Sequence, residues 1–306
     1  MTAKSIAIIG ECMVELSGQP FTAMQQNYGG DSMNTAIYLK KLAGNEVNVN
    51  YVSAMGTDPL SRALIEKWQA HHINTDNVLL SHNKQPGLYM IQNDVSGERT
   101  FQYWRSDSAA KYLLQHTDFK KVLTNLAEVD AIYLSGISLA ILAEQDCHTL
   151  LSHLALLKQQ GIKIIYDSNY RPALWSSKMH CHLANNKAYA LADLALVTFD
   201  DEAQLWGDSN VAKCTERLHQ QGAHEVVVKL GADGCQYSKK HLDNSISVEL
   251  FNTVAVEKVI DTTAAGDSFN AGFLAQWLTE QPIKQCAQAG NLLAAQVIQK
   301  RGAIVE

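Results

Sequence analysis

Proline is scarce in this chain, with five among 306 residues, so few rigid breaks separate one part of it from another. No tract rich in Pro, Gly or Ser reads as a linker, and neither an internal repeat nor a low-complexity segment is visible, which argues against two units joined by a hinge. The six cysteines, Cys12, Cys147, Cys181, Cys214, Cys235 and Cys286, are scattered and form no CxxC pair. That spacing speaks against thiolate metal sites and a disulfide framework, and a chain of this length needs no staples; reduced thiols in a cytoplasm are expected. The start, "MTAKSIAIIGE", holds an apolar run of about five residues. A signal peptide core takes ~7–15 and a membrane span ~20, so neither export nor a membrane partner is expected. Charge of one sign is missing too: 25 Lys plus Arg face 31 Asp plus Glu without long runs, a formal net charge of −6. A nucleic-acid or anionic-membrane surface is therefore not expected, and an anionic ligand would need a local basic pocket. Two nucleotide signatures are also absent. There is no GxxxxGK[ST] loop, and the first strand runs into "GECMVEL" instead of a GxGxxG turn.

What the chain has is apolar material, 46% of its residues, arranged with two alternating rhythms. Short β-branched runs recur: "SIAIIG", "NVNYVSAM", "AIYLS", "KIIYD", "LALVTF" and "EVVVKL". Between them lie stretches with helical spacing, such as Leu64, Ile65 and Trp68, or Leu150, Leu151, Leu154 and Leu157. Strands apolar on both faces that alternate with helices predict a parallel sheet covered on both sides, an α/β doubly wound fold. One region breaks the rhythm. "GLYMIQNDVSGERTFQYWR", residues 87–105, has two alternating arms around Asn93-Asp94-Val95-Ser96-Gly97 and predicts a β-hairpin. In its second arm Phe101, Tyr103 and Arg105 share one face while Gln102 and Trp104 share the other. A second extended excursion is expected between Cys12 and Tyr28.

Three stretches carry chemistry. In "DTTAAGDSFNAGF", residues 261–273, Phe269, Phe273 and Trp277 recur at four-residue spacing and predict an amphipathic helix starting around Gly266, after the strand-like "VEKVI". Ala264, Ala265 and Gly266 then fall at a strand-to-helix turn, where first-turn N–H groups lack internal partners and the helix dipole is positive. Small side chains let a phosphate approach those donors, and Asp267 beside it could take a proton from an attacking hydroxyl. Equally, Asp267 favours the dipole and the small residues permit tight packing. "KLGADGC", residues 229–235, is a glycine-bracketed loop that either passes over a nucleotide or ends a strand. "YGGDSMNTAIYLKKL" sets Gly29 and Gly30 before Asp31, with a helix carrying Ala36, Leu39 and Leu42. Asp31 can be a helix cap and Asn34 a solvated position, but paired glycines permit close backbone approach.

These motifs together resemble the ribokinase-like (PfkB) sugar kinases: "DTTAAGDSFNAGF" is similar to their C-terminal signature and "NYGGDSMNTA" to their N-terminal glycine motif, in that family's order and near its spacing. "TFQYWRSDSAAKYL", "YLSGISLAIL", "DSNYRPALW" and the terminal "RGAIVE" extend the likeness over nearly the whole chain, toward members that act on a sugar acid. The resemblance implies one three-layer α/β domain over residues 1–306, a central mostly parallel sheet and a small β-strand lid from excursions at about 12–30 and 86–106. It implies transfer of the ATP γ-phosphoryl to the C6 hydroxyl of 2-keto-3-deoxygluconate. Asp267 would be the general base and the backbone of Ala264, Ala265 and Gly266 the anion hole. Asn169, Lys229, Gly231, Ala232, Gly234 and Asn291 would flank the nucleotide, and Gly30, Asp31 and Asn34 the hydroxyl end of the substrate. The signature departs from the family in Ala264, where glycine is usual. It departs again in "TFDDEAQLW", which lacks the family's asparagine three residues before glutamate; magnesium is expected, with Glu202 acting through water, although an acid-rich helix start accounts for the same residues.

A sugar acid brings a carboxylate that must be paired on leaving water. Arg105 is the leading candidate, sharing a hairpin face with Tyr103 and opposed by Tyr89; the other reading is a solvated arginine beside strand-stapling aromatics. Arg171 in "SNYRP" follows a strand end and is a second cationic candidate, for substrate or for ATP. His71, His72 and the "HCH" of 180–182 have no ligand-spaced partners and are expected on the solvated surface. A neutral-sugar kinase and a catalytically silent sugar-acid-binding protein remain as alternatives, and homo-oligomers could form through exposed lid strands.

Overall fold

The computed structural model describes residues 3–93 and 99–305. A nine-stranded sheet forms its centre: β1 (Lys4–Ile9), β4 (Val47–Gly56), β5 (Asn74–Ser81), β8 (Ala131–Ser135), β9 (Lys163–Asp167), β10 (Leu194–Thr198), β11 (Glu225–Lys229), β12 (Cys235–Lys240) and β13 (Ile246–Phe251). Its order is β13-β12-β11-β10-β9-β8-β1-β4-β5. All neighbours are parallel from β11 through β5; β12 alone runs the other way, antiparallel to both β11 and β13. Each β-branched run read from the sequence is one of these strands. β5, β12 and β13 were not expected.

Successive residues of a strand point to opposite faces, and β1 divides its apolar set accordingly. Ile6 and Ile8 enter a core shared with α1 (Asp31–Ala43), α2 (Pro59–Ala70), α9 (Ala265–Trp277) and α10 (Ile283–Val297). Ala7 and Ile9 enter the core on the other side, shared with α3 (Phe119–Leu126), α4 (Gly136–Ala140), α5 (Glu144–Gln159), α6 (Lys178–Leu191) and α8 (Val211–Gln221). The short α7 (Phe199–Trp206) follows β10. The result is a three-layer α/β fold. Trp68 is fully buried, and Leu150, Leu151, Leu154 and Leu157 are all buried, as their spacing predicts; Leu42, by contrast, is exposed because it lies on the outer face of α1. Among the described residues no helix is long and apolar enough to cross a membrane.

A second sheet of four strands, in the order β3-β2-β6-β7, is made by both excursions: β2 (Met13–Ser17) and β3 (Gln25–Gly29), then β6 (Leu88–Asn93) and β7 (Arg99–Trp104). Tyr89 pairs directly with Tyr103 across the hairpin, and their rings lie 5.9 Å apart. The centre of the expected turn, residues 94–97, lies outside the described residues.

One sequence expectation fails. "VEKVI" is not a strand: residues 252–264 are irregular, and Val254, Val259 and Ile260 stay exposed. A β-branched run needs a partner strand to pair with, and this one borders a cavity instead.

Two glycines let α9 and α10 approach closely. A Cβ on Gly272 would stand 2.5 Å from the Ala289 carbonyl oxygen, and one on Gly290 would stand 3.0 Å from the Phe269 ring. Replacing Gly272 by Val should therefore destabilise the protein by ~1–3 kcal/mol through overpacking. Denaturant unfolding checks this, and an unchanged midpoint would refute the contact.

Candidate active site

The N-terminus of α9 organises the site. Helix α9 starts at Ala265, one residue before the start expected from spacing, and no side chain caps it. Ala264 just before it is left-handed, φ 60° and ψ 16°. An alanine there costs ~1–2 kcal/mol relative to a right-handed residue, so the usual glycine of the signature would be the relaxed choice and Ala264 is held under strain. The Ala265 N–H donates to the Thr262 carbonyl at 3.2 Å, which tightens the turn leading into the helix.

Asp267, in the first turn, accepts a hydrogen bond from Asn34 Nδ2 at 2.8 Å, and its backbone carbonyl accepts from Thr35 Oγ1 at 3.3 Å. Both partners come from α1, whose entry depends on two glycines. A Cβ on Gly30 would stand 2.3 Å from the Glu11 carbonyl oxygen, and one on Gly29 would stand 2.7 Å from the Tyr89 hydroxyl. The glycine motif thus docks α1 under the small sheet and against α9. Asn34 Oδ1 is buried without a protein partner. Asp31 accepts from Asn169 Nδ2 at 2.9 Å, and Asn169 sits at φ 30°.

Loss of hydration pushes the Asp267 carboxyl up to about 7, and the nearby carboxyls of Asp31 and Asp167 push in the same direction, while Asn34 and Lys229 oppose them. Asp31 is raised as well, chiefly by desolvation.

On one side of Asp267 lies a cavity of about 610 Å³. Lys229, Gly231, Ala232, Gly234, Gly266 and Asn291 line it, so six of the residues expected near a nucleotide meet there; Ala264 and Asn169 do not line it. Gly234 cannot be replaced freely, since its φ is 89° and a Cβ would stand 2.1 Å from the Phe251 carbonyl oxygen. Asn291 Nδ2 donates to the carbonyls of Phe251 and Asn252, both at 3.3 Å, and so shapes the cavity wall. Val254, Val256, Val259 and Ile298 give one end of it an apolar lining. A nucleotide fits this cradle: bare backbone near α9 for phosphates, apolar walls for a base.

On the other side is the small sheet. Tyr89 is buried and donates to Glu15 Oε2 at 2.5 Å, whereas Tyr103 is 54% exposed. The Arg105 guanidinium pairs with Glu11, which is itself buried. Arg105 is therefore neither solvated nor unpaired, as the sequence alternatives had it, but already matched to an acid. Glu11 and Glu15 were missed in the sequence, although Glu11, Met13 and Glu15 alternate along "GECMVEL" and the two-residue period puts them on one face.

Two expectations need correcting. Glu202 is fully buried, with Oε1 accepting from the Tyr189 hydroxyl and Oε2 from Arg217, each at 2.7 Å. A hydrated magnesium ion cannot approach a carboxylate so enclosed, and the donor set does not fit one. Arg171 is about half exposed and lies 3.6 Å from Asp201, outside the cavity lining. Of the histidines, His71 and His72 are exposed, but His180 and His182 are half-buried against Trp175 and Trp206. The six cysteines are buried and free.

A further group went unseen in the sequence. Asp167, Lys229 and Asn270 meet between the cavity and Asp267, with Tyr133 beside them.

A base and an anion cradle side by side define a phosphotransferase on a ribokinase-like scaffold. Residues 3–306 match the family described as pfkB family carbohydrate kinase, and the chain belongs to that family. It is 48% identical over 307 residues to the 2-dehydro-3-deoxygluconokinase of Haemophilus influenzae, covering 99% of this chain and 96% of that protein. It is 44% identical over 310 residues to the protein of the same name from Dickeya dadantii, covering 100% and 98%. Among solved structures, a candidate ribokinase II from E. coli in complex with ATP and Mg2+ superposes with a TM-score of 0.81 at 21% identity, covering 98% of this chain and 94% of that one.

The raised Asp267 carboxyl has a sign that can be tested. A base works only when ionised, so kcat/KM for the phosphoryl acceptor should fall about tenfold per pH unit below about 7. Because the folded value lies above the ~3.9 of a free aspartate, the same burial favours the folded state below about pH 4, and that contribution is lost as pH rises through 7. A flat kcat/KM between pH 5 and 8 would count against the carboxyl.

Proposed function

We propose that this chain transfers the γ-phosphoryl of ATP to the C6 hydroxyl of 2-keto-3-deoxygluconate, giving the 6-phosphate and ADP. The observation that carries the reading is the position of Asp267. It follows Gly266, which lines a nucleotide-sized cavity, and it accepts a hydrogen bond from Asn34, which the Gly29–Gly30 entry to α1 places beneath Tyr89 of the small sheet. The relatives' shared name supplies the substrate class.

The hydroxyl oxygen forms its bond to the γ-phosphorus as the bond to the β-phosphate oxygen breaks, and ADP leaves with that electron pair. Asp267 takes the hydroxyl proton. The first-turn amides of α9 and the Lys229 ammonium face the phosphoryl group in flight, where developing charge is best stabilised by fixed donors. Asn34 steadies Asp267 through Nδ2 and keeps Oδ1 as an acceptor for a substrate hydroxyl. Magnesium, bound with ATP in the E. coli neighbour, would neutralise charge on the β- and γ-phosphates. On the opposite side Arg105 is the group for the substrate carboxylate, with Tyr103 across the hairpin from Tyr89. The small sheet acts as a lid that excludes water, without which ATP would be hydrolysed. Self-association through its edge belongs to the same reading, since Phe101, Tyr103 and Trp104 of β7 are 40%, 54% and 57% exposed.

Asp267→Asn should lower kcat by ~10²–10⁴ while ATP binding is retained; turnover near wild type would remove Asp267 from the role. ADP release across a panel of sugar acids and neutral sugars tests the acceptor. We expect kcat/KM for 2-keto-3-deoxygluconate to exceed that for fructose by ~100-fold or more, well within the ~10⁴–10⁵ that a site built for polar groups can reach. Preference for fructose would favour the neutral-sugar alternative, and no release with any acceptor a silent binding protein.

Arg105 needs a variant that strands no buried charge. The double change Glu11→Gln with Arg105→Gln removes both ions together, and KM for the sugar acid should rise ~10-fold or more, the worth of one charge-assisted hydrogen bond. The ATP KM should stay within about twofold. An unchanged sugar-acid KM would place the carboxylate elsewhere.

A further inference from the structure

Lys229 closes β11 and is 7% exposed; Asp167 closes β9 and is 2% exposed; the two strands flank β10. Lys229 Nζ donates to Asn270 Oδ1 at 3.1 Å and lies 3.4 Å from Asp167 Oδ1. An ammonium has three donors. The remaining direction runs toward the N-terminus of α9, because a Cβ on Gly266 would stand 3.6 Å from Nζ. Asp167 is itself held on every side. Oδ2 accepts from Asn270 Nδ2 at 2.7 Å and from the Tyr133 hydroxyl at 3.4 Å, and Oδ1 also accepts the Asn169 backbone N–H at 3.2 Å. Asn270, three residues beyond Asp267, thus bridges the carboxylate and the ammonium on the inner face of α9. Asp167 does not line the nucleotide cavity, whereas Lys229 does.

We propose that Asp167 is a positioning residue that acts through Lys229. With Asn270 it fixes the lysine ammonium beside Gly266, where the phosphoryl group passes. The opposed charges of Asp167 and Lys229 also bear on Asp267, after its desolvation and the Asp31 carboxyl. This rests on the kinase reading above. A free lysine in that place would swing into the cavity and pair with whichever phosphate reached it first, while a lysine braced by a carboxylate and an amide keeps one donor aimed at one point. The titratable groups that act on Asp267 or feel its charge are Asp31 and Tyr38 from α1, Tyr133 from β8, Asp167 from β9 and Lys229 from β11. Asp167 also acts on Asp31 and Tyr133, so the Lys229→Met variant, which leaves those contacts in place, reads the lysine's contribution separately.

The experiment is a double-mutant cycle on the full chain, with pH profiles of kcat/KM for the sugar acid. Lys229→Met should lower kcat by ~10² and move the acid limb to higher pH, because a positive charge near Asp267 is removed. Asp167→Asn should lower kcat by ~10-fold or more and move the limb to lower pH, because a negative charge is removed. The double variant should be no slower than Lys229→Met alone, since Asp167 has nothing left to position. Multiplicative losses in the double variant, or limbs that stay fixed in both single variants, would overturn the proposal and leave Asp167 a packing residue. Should Asp167→Asn fail to fold, Asn270→Ala removes the nearer acceptor of Lys229: a kcat loss that disappears in the Lys229→Met background supports the bracket, and one that persists there overturns it. Wild-type turnover is measured first. If no acceptor in the panel is phosphorylated, the kinase reading fails, whereas turnover with multiplicative losses sinks the positioning role alone.

Discussion

Everything in this fold converges on a problem of like charge. The base proposed for the transfer, Asp267, would have to be an anion next to anions, since it shares its surroundings with Asp31 and Asp167. Water would screen such a cluster, but water is what a kinase must exclude. The structure answers with fixed positive character: the uncapped N-terminus of α9, the Lys229 ammonium and the Asn34 amide. Each of these depends on a different layer. α9 is seated by its glycine contact with α10, Lys229 by the end of β11, and Asn34 by the glycine entry to α1.

How far this was legible in the sequence follows from the range of each interaction. Strands in a parallel sheet buried on both faces are near-continuous apolar runs, so β1, β8, β9 and β11 could be read directly. The amphipathic spacing of Phe269 and Phe273 located α9 to within a residue. The bare turn before it showed where an anion would sit, although spacing alone left a structural role equally open. Pairings across the chain were beyond reach. Asn34 and Asp267 are 233 positions apart, and Asn270 and Asp167 are 103 apart; nothing local announces either bond. The same holds for Glu202, whose acid-rich surroundings suggested a metal while its actual partner, Arg217, arrives from α8. "VEKVI" misled for a different reason. Alternating β-branched residues suit a groove wall as well as a strand, and only the absence of a neighbouring strand decides between them.

The strain at Ala264 follows from the same demand. A phosphate bound at a helix start needs the first amides bare, and here the turn into α9 passes through a left-handed residue, Ala264. Glycine would adopt that conformation freely and would also flex. Alanine restricts the turn, and its cost is met by the packing of α9 against α1 and α10. The stability given up at one residue is exchanged for a first turn with fewer alternatives, which is the usual relation between strain and function at a site whose geometry must be set before the ligand arrives.

The Glu11–Arg105 pair extends the argument from the phosphoryl to the acceptor. A buried arginine kept for a substrate carboxylate would be an uncompensated charge whenever the site was empty, and such a charge destabilises a fold by several kcal/mol. In the role proposed for Arg105, the Glu11 carboxylate removes that penalty while the site is empty. It also sets a condition on what may bind. A neutral sugar offers the guanidinium nothing to improve on Glu11, so the pair stays closed and the lid gains nothing from the ligand. A carboxylate brings a second anion to a guanidinium with five donors in a planar fork, enough to serve both acids at once. Among the described residues Arg105 Nε has no partner, which leaves one donor of the fork unclaimed. On the proposed role of Arg105, selectivity for a sugar acid would then arise from a pair that is satisfied without substrate and better satisfied with it, and the acid that balances the arginine would matter to that choice as much as the arginine does.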